Sequence, residues 1–169
     1  MKSGRITVRN FRETSAKAMI ILGSGGHTAE MLRIVKHMNY ENYTPRIYVC
    51  ASTDKISIEK ITRSREVGQS YISSVWTTVI ATLEAASLLW FEKPELLLCN
   101  GPGTCVPLCI IAFVFKIFYV LNITTVFIES FCRVKTFSLT GKILYYLVDH
   151  VIVRWPGLNK SLYDKVYSS

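Results

Sequence analysis

Five apolar runs of strand length recur along the chain: "AMIIL" (18–22), "RIYVCA" (46–51), "ELLLC" (95–99), "TTVFIE" (124–129) and "HVIVR" (150–154). Nearly continuous apolar runs of this length are the pattern of strands buried on both faces. Between the runs the period changes. From His27 to Met38, the residues Met31, Leu32, Ile34, Val35 and Met38 fall at helical spacing, with Glu30, Arg33, Lys36 and His37 between them, which predicts an amphipathic helix. Residues 74–91 repeat that pattern through Trp76, Val79, Ile80, Leu83 and Trp90, and residues 139–148 do so more weakly. Strands alternating with such helices predict an α/β fold: a Rossmann-like parallel sheet with helices on both faces and right-handed crossovers.

Two segments depart from the alternation. "CVPLCIIAFVFKIFYVL" (105–121) is apolar all round except for Lys116, and a helix without a polar face is either buried or in lipid. The segment sits at the lower limit for a span, and a lysine near the bilayer centre costs about 2.5–3.5 kcal/mol. A buried or membrane-lying helix with Lys116 snorkelling is therefore expected in preference to a span. Residues 53–70, "TDKISIEKITRSREVGQS", form the most polar and basic interior stretch. They predict a surface helix plus loop, either a solvated face or a phosphate-facing loop that acts through Arg63 and Arg65.

Charge and length refine the organisation. The 169 residues suit one domain, and the net charge of +8 favours phosphates or an anionic membrane face. Half of that excess lies in residues 1–17, where Lys2, Arg5, Arg9, Arg12 and Lys17 oppose only Glu13. The division expected is a basic N-terminal arm (1–17) followed by a single domain (18–169). The arm suits an amphipathic segment on lipid, a presequence or disordered chain, and it contains no apolar stretch of the signal-peptide kind. Nucleic acid would require a motif, and none is present. The cysteines, Cys50, Cys99, Cys105, Cys109 and Cys132, are odd in number, lack CxxC spacing and mostly sit in apolar runs. They read as buried free thiols in a reducing compartment, with no metal site.

Ligands of parallel α/β sheets bind outside the carboxyl ends of the strands, and three loops there carry unusual residues. The first, Gly23-Ser24-Gly25-Gly26-His27-Thr28, joins the first strand to the amphipathic helix. Its glycines allow close backbone approach, and the helix start offers N–H groups and a positive dipole end to an anion. It is not the dinucleotide fingerprint: after Gly23 and Gly25 the sixth position is Thr28, and no acid closes the second strand. No Walker lysine follows either. No nucleotide cofactor is expected. His27 sits where the dipole favours a neutral ring, so it is a candidate base or diphosphate ligand, or else a packing histidine. The second loop, Asn100-Gly101-Pro102-Gly103-Thr104, again brings glycines to a helix start, or is a plain turn with Thr104 as N-cap. In the third, Glu129 and Ser130 end a strand ahead of Arg133 and Lys135. Glu129 is a candidate base or half of an ion pair. "RWPGL" (154–158) reads as a domain edge or subunit contact, with Trp155 exposed.

Taken together, "GSGGHTAEML", "RSREVGQSY", "LLLCNGPGTCVPLC", "IESFCRV" and "GKILYYLVDHVIVRWPGL" resemble the membrane-anchoring subunit family of the two-subunit UDP-N-acetylglucosamine transferase of N-glycan precursor synthesis. That resemblance implies the N-terminal, acceptor-side half of a GT-B glycosyltransferase, similar to MurG of bacterial cell-wall synthesis. A separate soluble partner would supply the donor-binding half. The implied reaction transfers GlcNAc from UDP-GlcNAc to dolichyl-diphosphate-GlcNAc on the cytosolic face of the endoplasmic reticulum membrane. By the same resemblance Gly23, Ser24, Gly25, Gly26, Thr28, Asn100, Gly101, Gly103 and Thr104 would cradle the lipid-linked diphosphate, and His27 or Glu129 would serve as the base. Two other readings stand beside it, a non-catalytic membrane adaptor and a stand-alone nucleotide-binding Rossmann enzyme. Against the family pattern, the basic arm stands in place of an apolar membrane-spanning segment. The chain between the second strand and "RSREV" is shorter than usual. The tail "DKVYSS" replaces an apolar segment that docks the partner.

Overall fold

The computed structural model describes residues 14–23, 25–51, 59–61, 71–101, 103, 105–155 and 166–168. Among these residues, seven parallel strands form one sheet: β1 (Ala18–Leu22), β2 (Arg46–Ala51), β3 (Glu59–Ile61), β4 (Leu96–Asn100), β5 (Thr124–Ile128), β6 (His150–Val153) and β7 (Val166–Ser168). They are ordered β3-β2-β1-β4-β5-β6-β7. Among the described residues, four helices interleave with them: α1 (Gly26–Lys36), α2 (Tyr71–Glu92), α3 (Cys105–Ile117) and α4 (Leu139–Leu144). The chain builds outward from β1 to β3, then returns to the middle and builds outward the other way from β4. The neighbours β1 and β4 therefore flank the topological switch point.

Strand alternation sorts the core into two layers. In β1, Met19 and Ile21 face a cluster that includes Ala85 and Leu89 of α2, Leu108 and Ala112 of α3, and Leu144 of α4. Ile20 and Leu22 face the other way, towards Met31 and Val35 of α1. The apolar stripe of α1 thus covers one face, and α2, α3 and α4 cover the opposite one. Arg46 closes the far end of α1, donating from Nη2 to Met38 O at 3.1 Å and from Nε to Tyr43 O at 2.9 Å. Its Nη1 reaches the last-turn carbonyl of Val35 at 3.4 Å, while the other two bonds hold the loop that follows the helix.

Several expectations change. Residues 59–61, placed in the surface helix plus loop, instead form β3, pairing parallel with Val49–Ala51. The outer edge of β2 carries unpaired backbone groups, and a short extended segment satisfies them, as β7 does beside β6. The apolar helix stops at Ile117, four residues early. Tyr119 turns left-handed at φ 55°, and Val120 N donates to Phe115 O at 2.8 Å, closing the end. Lys116 keeps a partly exposed side chain and pairs with Asp149. α4 ends at Leu144 rather than 148, and Ser138 caps its start by accepting from Gly141 N at 2.9 Å. Cys132 is exposed, whereas the other four thiols are buried. Cys99 and Cys109 lie 3.5 Å apart. Hydrogen bonds with Cys105 and Cys109, reinforced by burial, push the Cys99 thiol well above its usual pKa. The end of the basic arm is docked: Ser15 donates to Thr44 O at 2.8 Å, and Lys17 pairs with Glu92 at 2.6 Å. The remainder of the arm, residues 1–13, lies outside the described residues.

Candidate functional site

The polar continuation of the apolar stripe on α1 meets the ends of two strands at the switch point. Met31 and Val35 rest on the sheet. His27 precedes Met31 by four residues and Glu30 by three, so both project on the same side as that stripe, one turn nearer the strand ends. On β4, Leu98 faces α1, and so does Asn100 two residues on. On β5, Val126 and Ile128 face α1, which carries Ser130 to that side as well.

These four side chains bond to one another. His27 Nδ1 lies 3.0 Å from Asn100 Oδ1. Asn100 Nδ2 donates to Glu30 Oε2 at 3.2 Å, and Ser130 Oγ donates to Glu30 Oε1 at 3.2 Å. His27 Nδ1 is also 3.6 Å from Glu30 Oε2. Burial rises inward along the chain of contacts: the His27 side chain is 32% exposed, that of Glu30 14%, and Asn100 as a residue only 1%. The imidazole lies across Gly101, whose φ is +78°, and a Cβ there would collide with the ring. Glycine is required at 101 on both counts.

Around this network the first loop stays open. Gly25 has φ 57° and ψ −120° as the N-cap of α1, a conformation that glycine adopts far more readily than other residues. A Cβ on Gly25 or Gly26 would meet nothing within 4 Å. Gly23 is buried, and its carbonyl accepts from Thr28 Oγ1, which fixes the loop from within. An anion can therefore approach the backbone at the start of α1 beside a half-buried, oriented imidazole. Such a pairing can hold a phosphate and take a proton from a neighbouring hydroxyl.

Glu129 is built differently. The alternation of β5 turns it to the opposite face, where it is 1% exposed. Its Oε1 accepts from Ser130 N at 3.1 Å, and its Oε2 accepts from Ser138 N at 2.9 Å and Ser138 Oγ at 3.0 Å. This carboxylate ties the start of α4 to the end of β5. Of the sequence-predicted residues, the fold brings His27, Asn100 and Gly101 together beside Gly23, Gly25, Gly26 and Thr28, while Gly103 lies exposed at the mouth of the second loop. Ser24, Arg63, Arg65 and Thr104 lie outside the described residues. Glu30 was missed as a site residue because it reads as part of the solvated face of its helix. Its spacing of three from His27 was the available signal. Trp155 is exposed as expected and donates to Phe131 O at 2.8 Å.

The family described as "Oligosaccharide biosynthesis protein Alg14 like" matches residues 18–62 and 56–169. The chain belongs to the Alg14 family. A rat relative named UDP-N-acetylglucosamine transferase subunit ALG14 is 42% identical over 88% of this chain and 80% of its own length. The human protein of the same name is 40% identical over 90% and 82%. Those alignments extend over 173 and 177 positions, more than the 169 residues here, so Alg14 relatives carry residues inside the matched stretch that this chain lacks. The two pieces of the family match meet at 56–62, where the sequence reads as shortened. Among solved structures, Acinetobacter baumannii MurG superposes with a TM-score of 0.67 at 15% identity, over 87% of this chain and 44% of that one. A UDP-N-acetylglucosamine 2-epimerase gives 0.67 at 13% identity, over 92% and 48%. The chain thus spans about half the length of these structures and has the Rossmann-like fold of one GT-B half.

Proposed function

We propose that this chain is the acceptor-side subunit of a UDP-GlcNAc transferase that adds the second GlcNAc to dolichyl-diphosphate-GlcNAc. It works with a soluble donor-binding partner on the cytosolic face of the endoplasmic reticulum membrane and is inactive alone. The observation that carries the reading is the switch-point crevice: an open glycine loop at the start of α1, with His27 laid over Gly101 beside it. The names of the relatives supply the sugar donor.

In this reading the acceptor diphosphate lies on the backbone of Gly25, Gly26 and the second loop, where the positive end of α1 offsets its charge. The acceptor hydroxyl then faces His27. As its oxygen bonds to the anomeric carbon of the donor sugar, the imidazole takes its proton and UDP leaves with the electrons of the broken bond. The buried, internally saturated Glu129 is left with a structural role. Recruitment to lipid has support in the outer surface of the α2–α3–α4 layer, which exposes Leu83, Trp90 and Phe91, then Phe118 and Tyr119, then Leu139 and Tyr146. No helix among the described residues is long and apolar enough to cross a membrane.

The test is GlcNAc transfer to a short-chain dolichyl-diphosphate-GlcNAc by the chain alone, by the chain with its partner, and by His27→Ala with the partner. Transfer should require both chains and fall about 10²- to 10⁴-fold in the variant. Transfer by the chain alone would refute the two-subunit reading. Full activity and unchanged acceptor affinity in His27→Ala would leave only a membrane adaptor. Flotation with anionic liposomes checks the lipid claim, which fails if the protein stays at the bottom of the gradient.

A further inference from the structure

Holding a diphosphate does not require the hydrogen-bond order found behind His27. The Glu30 carboxylate is gripped from two places, through Ser130 Oγ just past the end of β5 on one oxygen and through Asn100 Nδ2 at the end of β4 on the other, each at 3.2 Å. An ionised carboxylate only accepts, so the nitrogen of the Asn100 amide must face Glu30 and its carbonyl oxygen must face His27. That oxygen also only accepts. The nitrogen 3.0 Å away, His27 Nδ1, must then carry the ring proton.

A neutral imidazole protonated at Nδ1 presents a bare Nε2. We infer that Glu30 is a positioning residue which, through the amide of Asn100, locks His27 in the Nδ1–H tautomer and so leaves Nε2 free to take the acceptor proton. Gly101 contributes by admitting the ring in that orientation. The same carboxylate, 3.6 Å from Nδ1, faces the imidazolium that forms once the proton has moved, as the acid of a Ser-His-Asp triad does. Here an amide stands between acid and imidazole. This inference rests on the proposed role of His27 as base.

The experiment uses the chain with its donor-binding partner and histidine ring nitrogens labelled with ¹⁵N in this chain, which has three histidines. The His27 signals are assigned by their loss in His27→Ala. The wild type should show His27 protonated at Nδ1 and bare at Nε2. Glu30→Gln introduces an amide that can both donate and accept, so Asn100 is free to turn over. The Nε2–H tautomer should then emerge, and kcat should fall about 10- to 100-fold, the scale of orienting partners behind histidines, with the acceptor KM unchanged. Adding Asn100→Asp to Glu30→Gln places an acceptor-only group directly against Nδ1 and should restore both the tautomer and most of kcat. An unchanged tautomer in Glu30→Gln overturns the inference. So does a loss of turnover that tracks a lower melting temperature and is not restored in the double variant. If His27→Ala is fully active while Glu30→Gln still redistributes the tautomers, the lock stands and only the base assignment fails.

Discussion

Glu30 and Glu129 both bring a carboxylate to the C-terminal edge of the sheet, one from the first turns of α1 and the other from the end of β5. Glu129, 1% exposed, spends its oxygens on Ser130 N and on the backbone and hydroxyl of Ser138. Glu30, with its side chain 14% exposed, spends its own on Ser130 Oγ and on an asparagine that continues to a half-buried histidine at the crevice. A buried carboxylate held by the backbone and one hydroxyl of its neighbours is a fastener, whereas one that leads through side chains to an open crevice can bear on chemistry. The difference arises from a single step of strand alternation: Ser130 faces α1, and its neighbour Glu129 faces α4.

Three substitutions set the two regions against each other, and a fourth lies outside both. Glu129→Ala should cost the most stability, about 2–5 kcal/mol, because it strands the buried donor of Ser130 and the half-buried donors of Ser138 and opens a cavity. Turnover per folded molecule should survive, and denaturant unfolding together with transfer assays separates the two quantities. Gly141→Ala should follow at about 1–3 kcal/mol, since its Cβ would strike Glu129 Oε2 with Ser138 Oγ only 3.1 Å away. Gly101→Ala drives a Cβ into His27 instead and combines that clash with a positive φ. It should cost about 1 kcal/mol of stability but a much larger share of turnover, reversing the pattern of Gly141→Ala.

The smallest effect should come from Asp149, far from both glutamates. Burial pushes its carboxyl up, but hydrogen bonds from Lys116 and from the N–H and hydroxyl of Thr125, with the Lys116 charge, outweigh burial and hold it below its ordinary value of 3.8. A carboxyl depressed in the folded state contributes stability that is present above that ordinary value and lost as pH falls through the lower folded one. Asp149→Asn should therefore flatten the acid side of a melting-temperature profile below about pH 4 while changing stability at neutral pH by under about 1 kcal/mol. An unchanged acid limb would remove Asp149 from the account.

The fold was legible where pattern and packing agree. Five central strands and α1 fall within a residue or so of their apolar runs, because a strand buried on both faces leaves an unbroken apolar signature. The edge strands β3 and β7 were not legible. Each is three residues long, and it is the open edge of a neighbouring strand that makes it extended. The end of α3 was overrun because its exposed tail, Phe118 to Val120, is as apolar as its buried body. The site was half legible. The glycine loops, His27 and Asn100 stood out by composition at strand ends, whereas Glu30 was hidden among the charges of an amphipathic helix and Glu129 was promoted by the same strand-end position that marks Asn100.

By itself the sequence determined the alternation of strands and helices, the glycine loop ahead of α1, and the parity that sends residues 126, 128 and 130 to one face and 127 and 129 to the other. Those are local properties, set by backbone period and by which residues tolerate tight turns. Only the tertiary structure decided which polar ends meet. Returning the chain from β3 to β4 places Asn100 beside a helix that precedes it by more than sixty residues, and a hydrogen bond of about 3 Å exists only once the sheet has fixed both partners in place.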